Sequence, residues 1–121
     1  MTVIDASALL AFLGNEPGSD VVEEALASQA YCSAANWAEV AQKVTSHGRN
    51  WELSRGLLDS FNVSVEPVTR ADAEVAAKLW AQEQSLSLGD RLCIALSIRL
   101  EAVALTADRA WGTSERIKQI R

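Results

Sequence analysis

Residues 90–106, DRLCIALSIRLEAVALT, decide how the chain folds. From Asp90 to Leu100 the run is an almost wholly apolar helix, too hydrophobic to keep one face in water. Ala102 to Thr106 then reads as a short strand of the buried type. The same alternation extends outward in both directions. Thr2-Val3-Ile4 is a β-type run followed by helix-compatible Ala6 to Leu13. Ser19 to Ser28 is a helix whose Asp20, Glu23 and Glu24 suit its positive N-terminal end and whose Val21, Val22, Ala25 and Leu26 form a stripe. Ala30 to Ser33 is a second short strand. Ala34 to Ser46 is a helix, with Trp37, Val40, Ala41 and Val44 at i, i+3, i+4, i+7.

His47-Gly48 stops that helix and Asn50 caps the next, striped by Leu53, Leu57, Leu58 and Phe61. Asn62 to Pro67 is an edge strand ended by proline. Thr69 and Asp72 form a capping box opening a helix to about Glu83, buried through Val75, Ala76, Leu79 and Trp80. Gln84 to Leu88 is a loop, and a last strand lies within Arg116 to Ile120. Strands and helices in alternation predict one three-layer α/β/α domain over residues 1–121, with a mainly parallel sheet of four to five short strands.

Composition agrees with one globular domain. The 121 residues are 49% hydrophobic and 22% charged, enough at this length to bury roughly two-thirds of the chain's surface. The longest apolar stretch, Leu92 to Ile98, falls far short of the ~20 residues that span a bilayer. No Lys or Arg precedes the apolar Ala6 to Leu13, so a signal peptide is not indicated and a cytoplasmic protein is expected. The two cysteines, Cys32 and Cys93, lack metal or disulfide spacing and read as buried apolar residues. Eleven basic against sixteen acidic residues leave a net charge of −5, which excludes a simple electrostatic grip on nucleic acid. It leaves room for carboxylates gathered around a metal.

In open α/β sheets ligands bind beyond the carboxyl ends of the strands. Asp5 follows Val3-Ile4 and Asp108 follows Val103 to Thr106, both at such ends. Asp90 opens the most buried helix, and Glu39 lies beside the apolar stripe of its helix. If the four converge, their repulsion calls for a cation, and oxygen ligands of this kind suit Mg²⁺ or Mn²⁺. Asp5, Asp90 and Asp108 also stand where helices begin, where Asp is a favoured N-cap, and Glu39 can be an ordinary solvated acid. Composition and spacing leave both readings open.

Four segments carry a resemblance. Val3-Ile4-Asp5-Ala6-Ser7-Ala8-Leu9-Leu10 resembles the opening of PIN-domain ribonucleases, in particular the VapC-type toxins of toxin–antitoxin pairs. Asn36-Trp37-Ala38-Glu39-Val40 resembles their second acidic motif. Leu86 to Leu96, around Gly89-Asp90-Arg91, is similar to the third, and Leu105-Thr106-Ala107-Asp108-Arg109-Ala110-Trp111 to the fourth. The four occur in the family's order from the first strand to the last. The resemblance implies an acidic metal-binding cluster of Asp5, Glu39, Asp90 and Asp108, with the hydroxyls of Ser7 and Thr106 beside it. It also implies Mg²⁺-dependent endonucleolytic cleavage of RNA, inhibition by a cognate antitoxin, and a homodimer or larger toxin–antitoxin assembly.

A carboxylate-held divalent ion acidifies a bound water and stabilises charge on the scissile phosphate. No protein nucleophile is then needed, and the sole histidine, His47, reads as a surface residue at a helix end. Arg91 and Arg109, each next to a proposed ligand, are candidates for holding the RNA backbone, with Arg116, Lys118 and Arg121 near the C-terminus. Trp37 and Trp80 fall on apolar stripes and read as core. Trp51 and Trp111 lie near turns, where packing is favoured over base stacking. The helices after Gly14-Asn15-Glu16-Pro17 and after Asn50 carry apolar residues suited to a partner segment. A PIN-like binding module without turnover is the alternative, and the four intact acidic positions speak against it. A receiver domain wants adjacent acids at the first strand, where Ala6 and Ser7 follow Asp5. An aspartyl phosphatase wants Asp at position 7, where Ser7 stands.

Overall fold

The computed structural model describes residues 1–82 and 84–121. Five strands, β1 (Thr2–Ile4), β2 (Ala30–Ser33), β3 (Val63–Glu66), β4 (Val103–Thr106) and β5 (Ile117–Gln119), form one sheet in the order β3-β2-β1-β4-β5. Every neighbouring pair is parallel. Six α-helices connect them: α1 (Ala6–Leu13), α2 (Ser19–Ser28), α3 (Ala34–Ser46), α4 (Trp51–Asp59), α5 (Arg70–Trp80) and α6 (Leu88–Leu100). A 3₁₀ turn, Arg109–Trp111, lies between β4 and β5.

Strand alternation splits the core in two. Ile4, Cys32 and Leu105 pack with Leu9, Val22, Leu26, Val40 and Leu58 from α1 to α4. Their sequence neighbours Val3 and Ala104 pack with Cys93, Ile94 and Leu96 of α6. The result is three layers, as the alternating pattern predicts. Six consecutive residues of α6, Leu92 to Ser97, are buried, because the helix touches α3, α5 and strands β1, β2 and β4. Its unrelieved apolar sequence answers to neighbours on every side. No helix among the described residues is long and apolar enough to cross a membrane.

The chain winds from β1 to β2 and β3 on one side, then returns to place β4 on the other side of β1. The switch point therefore lies between β1 and β4, where an α/β sheet opens a crevice. Gly18 secures the far end of the chain against this frame. Its φ is +92°, and a Cβ there would stand 2.7 Å from the Ile120 carbonyl oxygen, so only glycine fits.

Three expectations change. Helix α5 ends at Trp80, short of the expected Glu83, which lies outside the described residues. Trp80 itself is 53% exposed: Ala76 of the expected stripe is buried beside Asp72 and Leu79 packs against the core, but the edge of the stripe that carries Trp80 stays in solvent. On α4 only Leu58 is buried, and Leu53 is 73% and Leu57 46% exposed. The remaining tryptophans pack. Trp111 is buried, and Trp37 meets Trp51 edge to face at 5.4 Å.

Candidate active site

Asp5 leaves β1 as the N-cap of α1, its Oδ1 accepting the Ala8 N–H at 2.8 Å. Its carboxylate is held on three further contacts. The Thr106 hydroxyl donates to Oδ2 at 2.6 Å, and the Ser7 hydroxyl reaches both oxygens at 2.8 and 2.9 Å. Ser7 also accepts the Ala107 N–H at 2.9 Å, and Thr106 accepts the Asp108 N–H at 3.0 Å. Two hydroxyls thus lock the end of β1 to the end of β4. Burial pushes the Asp5 pKa up to about 6, against the lowering pull of Thr106, Ala8 and Ser7, and the nearby Asp90 charge adds to the rise.

The other acids use their helix ends in a similar way. Asp90 is the third residue of α6, closing a capping box in which its Oδ2 accepts the Ser87 N–H at 3.0 Å. The helix begins at Leu88, two residues before the expected start, with Ser87 as its cap. Asp108 caps the 3₁₀ turn, Oδ1 accepting the Ala110 N–H at 2.9 Å. Glu39 on α3 takes an N–H from Asn36 at 2.7 Å on Oε1. One oxygen each of Glu39, Asp90 and Asp108 takes no hydrogen bond from the described residues. The capping reading holds for Asp5, Asp90 and Asp108; at Asp90 and Asp108 the cap engages one oxygen, whereas both oxygens of Asp5 are hydrogen-bonded.

All four acids line one cavity of about 380 Å³ at the switch point, together with Ser7 and with Gln42, Lys43 and Ser46 of α3. Among the described residues no group of three or more His, Cys, Asp or Glu side chains is close enough to hold a metal ion. The four acids thus share a space without any three of them forming such a group. Thr106 stands behind Asp5, fully buried.

Arg91 and Arg109 do not line the cavity. The Arg91 guanidinium donates to the carbonyls of Ala76 at 2.7 Å and Leu86 at 3.4 Å, tying α6 to α5 and the preceding loop. Arg109 is exposed on the 3₁₀ turn.

Two residues given no role in the sequence support Glu39. Asn36, 1% exposed, bridges Glu39 and the Gly89 carbonyl, donating to the latter at 3.1 Å. A Cβ at Gly89 would stand 2.5 Å from Glu39 Oε1 and 3.0 Å from its Cδ. Glycine there lets α3 and α6 bring Glu39 and Asp90 to one cavity. An asparagine three residues before an acid, and a glycine just before another, were the available signals.

The profile of the PIN domain matches residues 2–113. The chain belongs to the PIN domain family. A VapC ribonuclease of Mycobacterium bovis and ribonuclease VapC42 of Mycobacterium tuberculosis are each 32% identical over 107 residues, covering 78% of this chain and 81% of theirs. Solved structures share the fold. A toxin–antitoxin complex from Klebsiella pneumoniae gives a TM-score of 0.84 at 16% identity, covering 100% of this PIN domain and 98% of that chain. Mycobacterium tuberculosis VapC20, described as a sarcin–ricin loop cleaving toxin, gives 0.73 at 17% identity, over 95% and 98%. The family resemblance and the three-layer parallel fold expected from the sequence are thereby both established.

Proposed function

We propose that this PIN domain is a divalent-metal-dependent endoribonuclease, the toxin of a toxin–antitoxin pair, and that Asp5, Glu39, Asp90 and Asp108 hold Mg²⁺ or Mn²⁺ in its cavity. The observation that carries the reading is the convergence of four acids from four separate chain segments on one cavity, opposed by a single lining cation, Lys43. The donor set is all hard oxygen, which suits these ions. Mg²⁺ is usually held by one or two carboxylates and keeps several waters, so acids spaced too widely for three direct ligands still fit it. Bound there, the ion supplies an acidified water and charge neutralisation at the scissile phosphate.

The chain's residues do the positioning. Ser7, Thr106 and the Ala8 N–H fix Asp5, so its carboxylate needs little reordering on ligand binding. Capping bonds fix Asp90 and Asp108, and Asn36 aims Glu39. No protein nucleophile is required for this chemistry.

The partners belong to the same proposal: an RNA substrate, a cognate antitoxin and a second copy of the chain, in the cytoplasm. Solved relatives in toxin–antitoxin complexes support the antitoxin, and the exposed Leu53 and Leu57 of α4 offer it an apolar surface. The test is cleavage of bacterial RNA by purified, antitoxin-free protein with Mg²⁺, with EDTA, and with Asp5→Asn or Asp90→Asn. Cutting that stops under chelation and in both variants is the expected result. Equal cutting by both variants contradicts the assignment.

A further inference from the structure

The cavity continues past the acids along one side of α3. Glu39, Gln42, Lys43 and Ser46 all line it, and their spacing of i, i+3, i+4 and i+7 is that of a single helix face. The face changes character along its length. It begins with a carboxylate, then offers an amide, an ammonium and a hydroxyl. Lys43 is the only basic residue lining the cavity, and its ammonium forms no ion pair among the described residues. It sits one turn from Glu39, about 6 Å along the axis, a step comparable to the separation of neighbouring phosphates along an extended strand.

A cavity acidic at one end and cationic one turn away asks for a ligand of matching pattern. A lone divalent ion is served by the acids and repelled by Lys43. A phosphodiester chain matches both ends, with one phosphate beside the ion and the next beside the ammonium. Lysine serves phosphates as a point charge, and an amide donor complements it.

Resting on the nuclease reading above, we infer that Lys43, assisted by the Gln42 amide, forms a subsite for the backbone phosphate next to the one cleaved. The Ser46 hydroxyl donates to the Lys43 carbonyl at 3.1 Å and lines the subsite without serving as a donor to it. Lys43 is a positioning residue that contributes to substrate affinity and to the direction in which the strand lies along α3. It takes no part in holding the metal.

The test measures cleavage of bacterial RNA with Mg²⁺ and, separately, binding of a labelled 12-nucleotide single-stranded RNA to protein carrying Asp90→Asn, each with and without Lys43→Ala. Lys43→Ala is expected to raise KM about tenfold with kcat little changed, and to weaken RNA binding by a similar factor. The slope of log affinity against log salt should fall by about 0.7, the value for one lost contact to a single strand. Lys43→Arg should restore the slope and leave Mn²⁺ affinity at the wild-type value, whereas Lys43→Ala, which removes a repelling charge, should bind Mn²⁺ at least as tightly as wild type. An unchanged KM and salt slope in Lys43→Ala, with wild-type cleavage intact, overturns the subsite and leaves the nuclease reading standing. Lys43-dependent RNA binding by a protein that cleaves no RNA does the reverse. Loss of Mn²⁺ affinity in Lys43→Ala also overturns the subsite, since it would place Lys43 in the metal centre's own framework.

Discussion

Asp5 and Asp72 are both buried, at 2% and 4% exposure, and both cap helices. Their chemistry diverges. Asp72 caps α5 and pairs with Arg99, whose Nε and Nη2 lie 3.0 and 3.1 Å from its two oxygens. Burial alone would raise its pKa, but hydrogen bonding to Arg99 and Thr69 and the guanidinium charge bring it below the ordinary value. Asp5 has only neutral donors, and burial with the Asp90 charge pushes it up to about 6. The chain supplies a cation to one buried acid and withholds it from the other. A buried carboxylate without a countercharge, lining a cavity with three more acids, is the group that the proposed cation would neutralise.

The largest effect expected from this contrast is on activity. Asp5→Asn should abolish RNA cleavage while preserving the fold, because Oδ1 can still accept the Ala8 N–H and the Ser7 and Thr106 hydroxyls can turn to accept from the new amide. Circular dichroism and gel-based cleavage read the two halves of that outcome. The same variant should be more stable than wild type in EDTA at pH 8, by up to about 3 kcal/mol, the equivalent of its pKa displacement. Arg99→Leu should act in the opposite way. It leaves Asp72 buried and unpaired and should cost about 2–3 kcal/mol in denaturant unfolding, with Arg99 one-third exposed. Metal affinity at the cavity should be unaffected.

The pH dependence separates the two sites further. The folded pKa of Asp5 exceeds its unfolded 3.8, so between about pH 4 and 6 the native state binds more protons than the unfolded one. Its contribution to metal-free stability therefore falls as pH rises through that window. Asp72 has the opposite sign: its stabilisation is present above its unfolded pKa and is lost as pH falls through the lowered folded value. Unfolding in EDTA across pH 3–8 should show Asp5→Asn removing the decline between pH 4 and 6. Persistence of that decline in the variant would assign it elsewhere. A smaller effect is expected at Gly89. Gly89→Ala drives a methyl into Glu39 and should lower cleavage roughly 10–100-fold, with little change in thermal stability.

The same contrast explains what the sequence disclosed. The parallel sheet was legible because buried strands and helices alternate with few interruptions, and α6 carries its burial in its own composition. The acids at the ends of β1 and β4 were legible because strand ends in such sheets are fixed in space. Glu39 was legible more weakly, from its place beside the apolar stripe of its helix, and the resemblance strengthened it. Lys43, Gln42 and Ser46 carry no signal in the sequence, and it is the packing of α3 against α1 and α6 that makes their face a cavity wall. Trp80 fails for a related reason. Periodicity selects an apolar stripe, but the neighbouring helix decides which edge of it is covered, and here Ala76 is buried while Trp80 stays exposed. Gly89 follows the same logic, since its necessity lies in Glu39, fifty residues away in sequence.

The central claim is tested most directly by calorimetric titration of Mn²⁺ into the metal-free protein at pH 7.5, comparing wild type, Asp5→Asn and Asp72→Asn. The account predicts saturable binding by wild type and by Asp72→Asn, and none by Asp5→Asn. Equal binding by all three, or none by wild type, would contradict it.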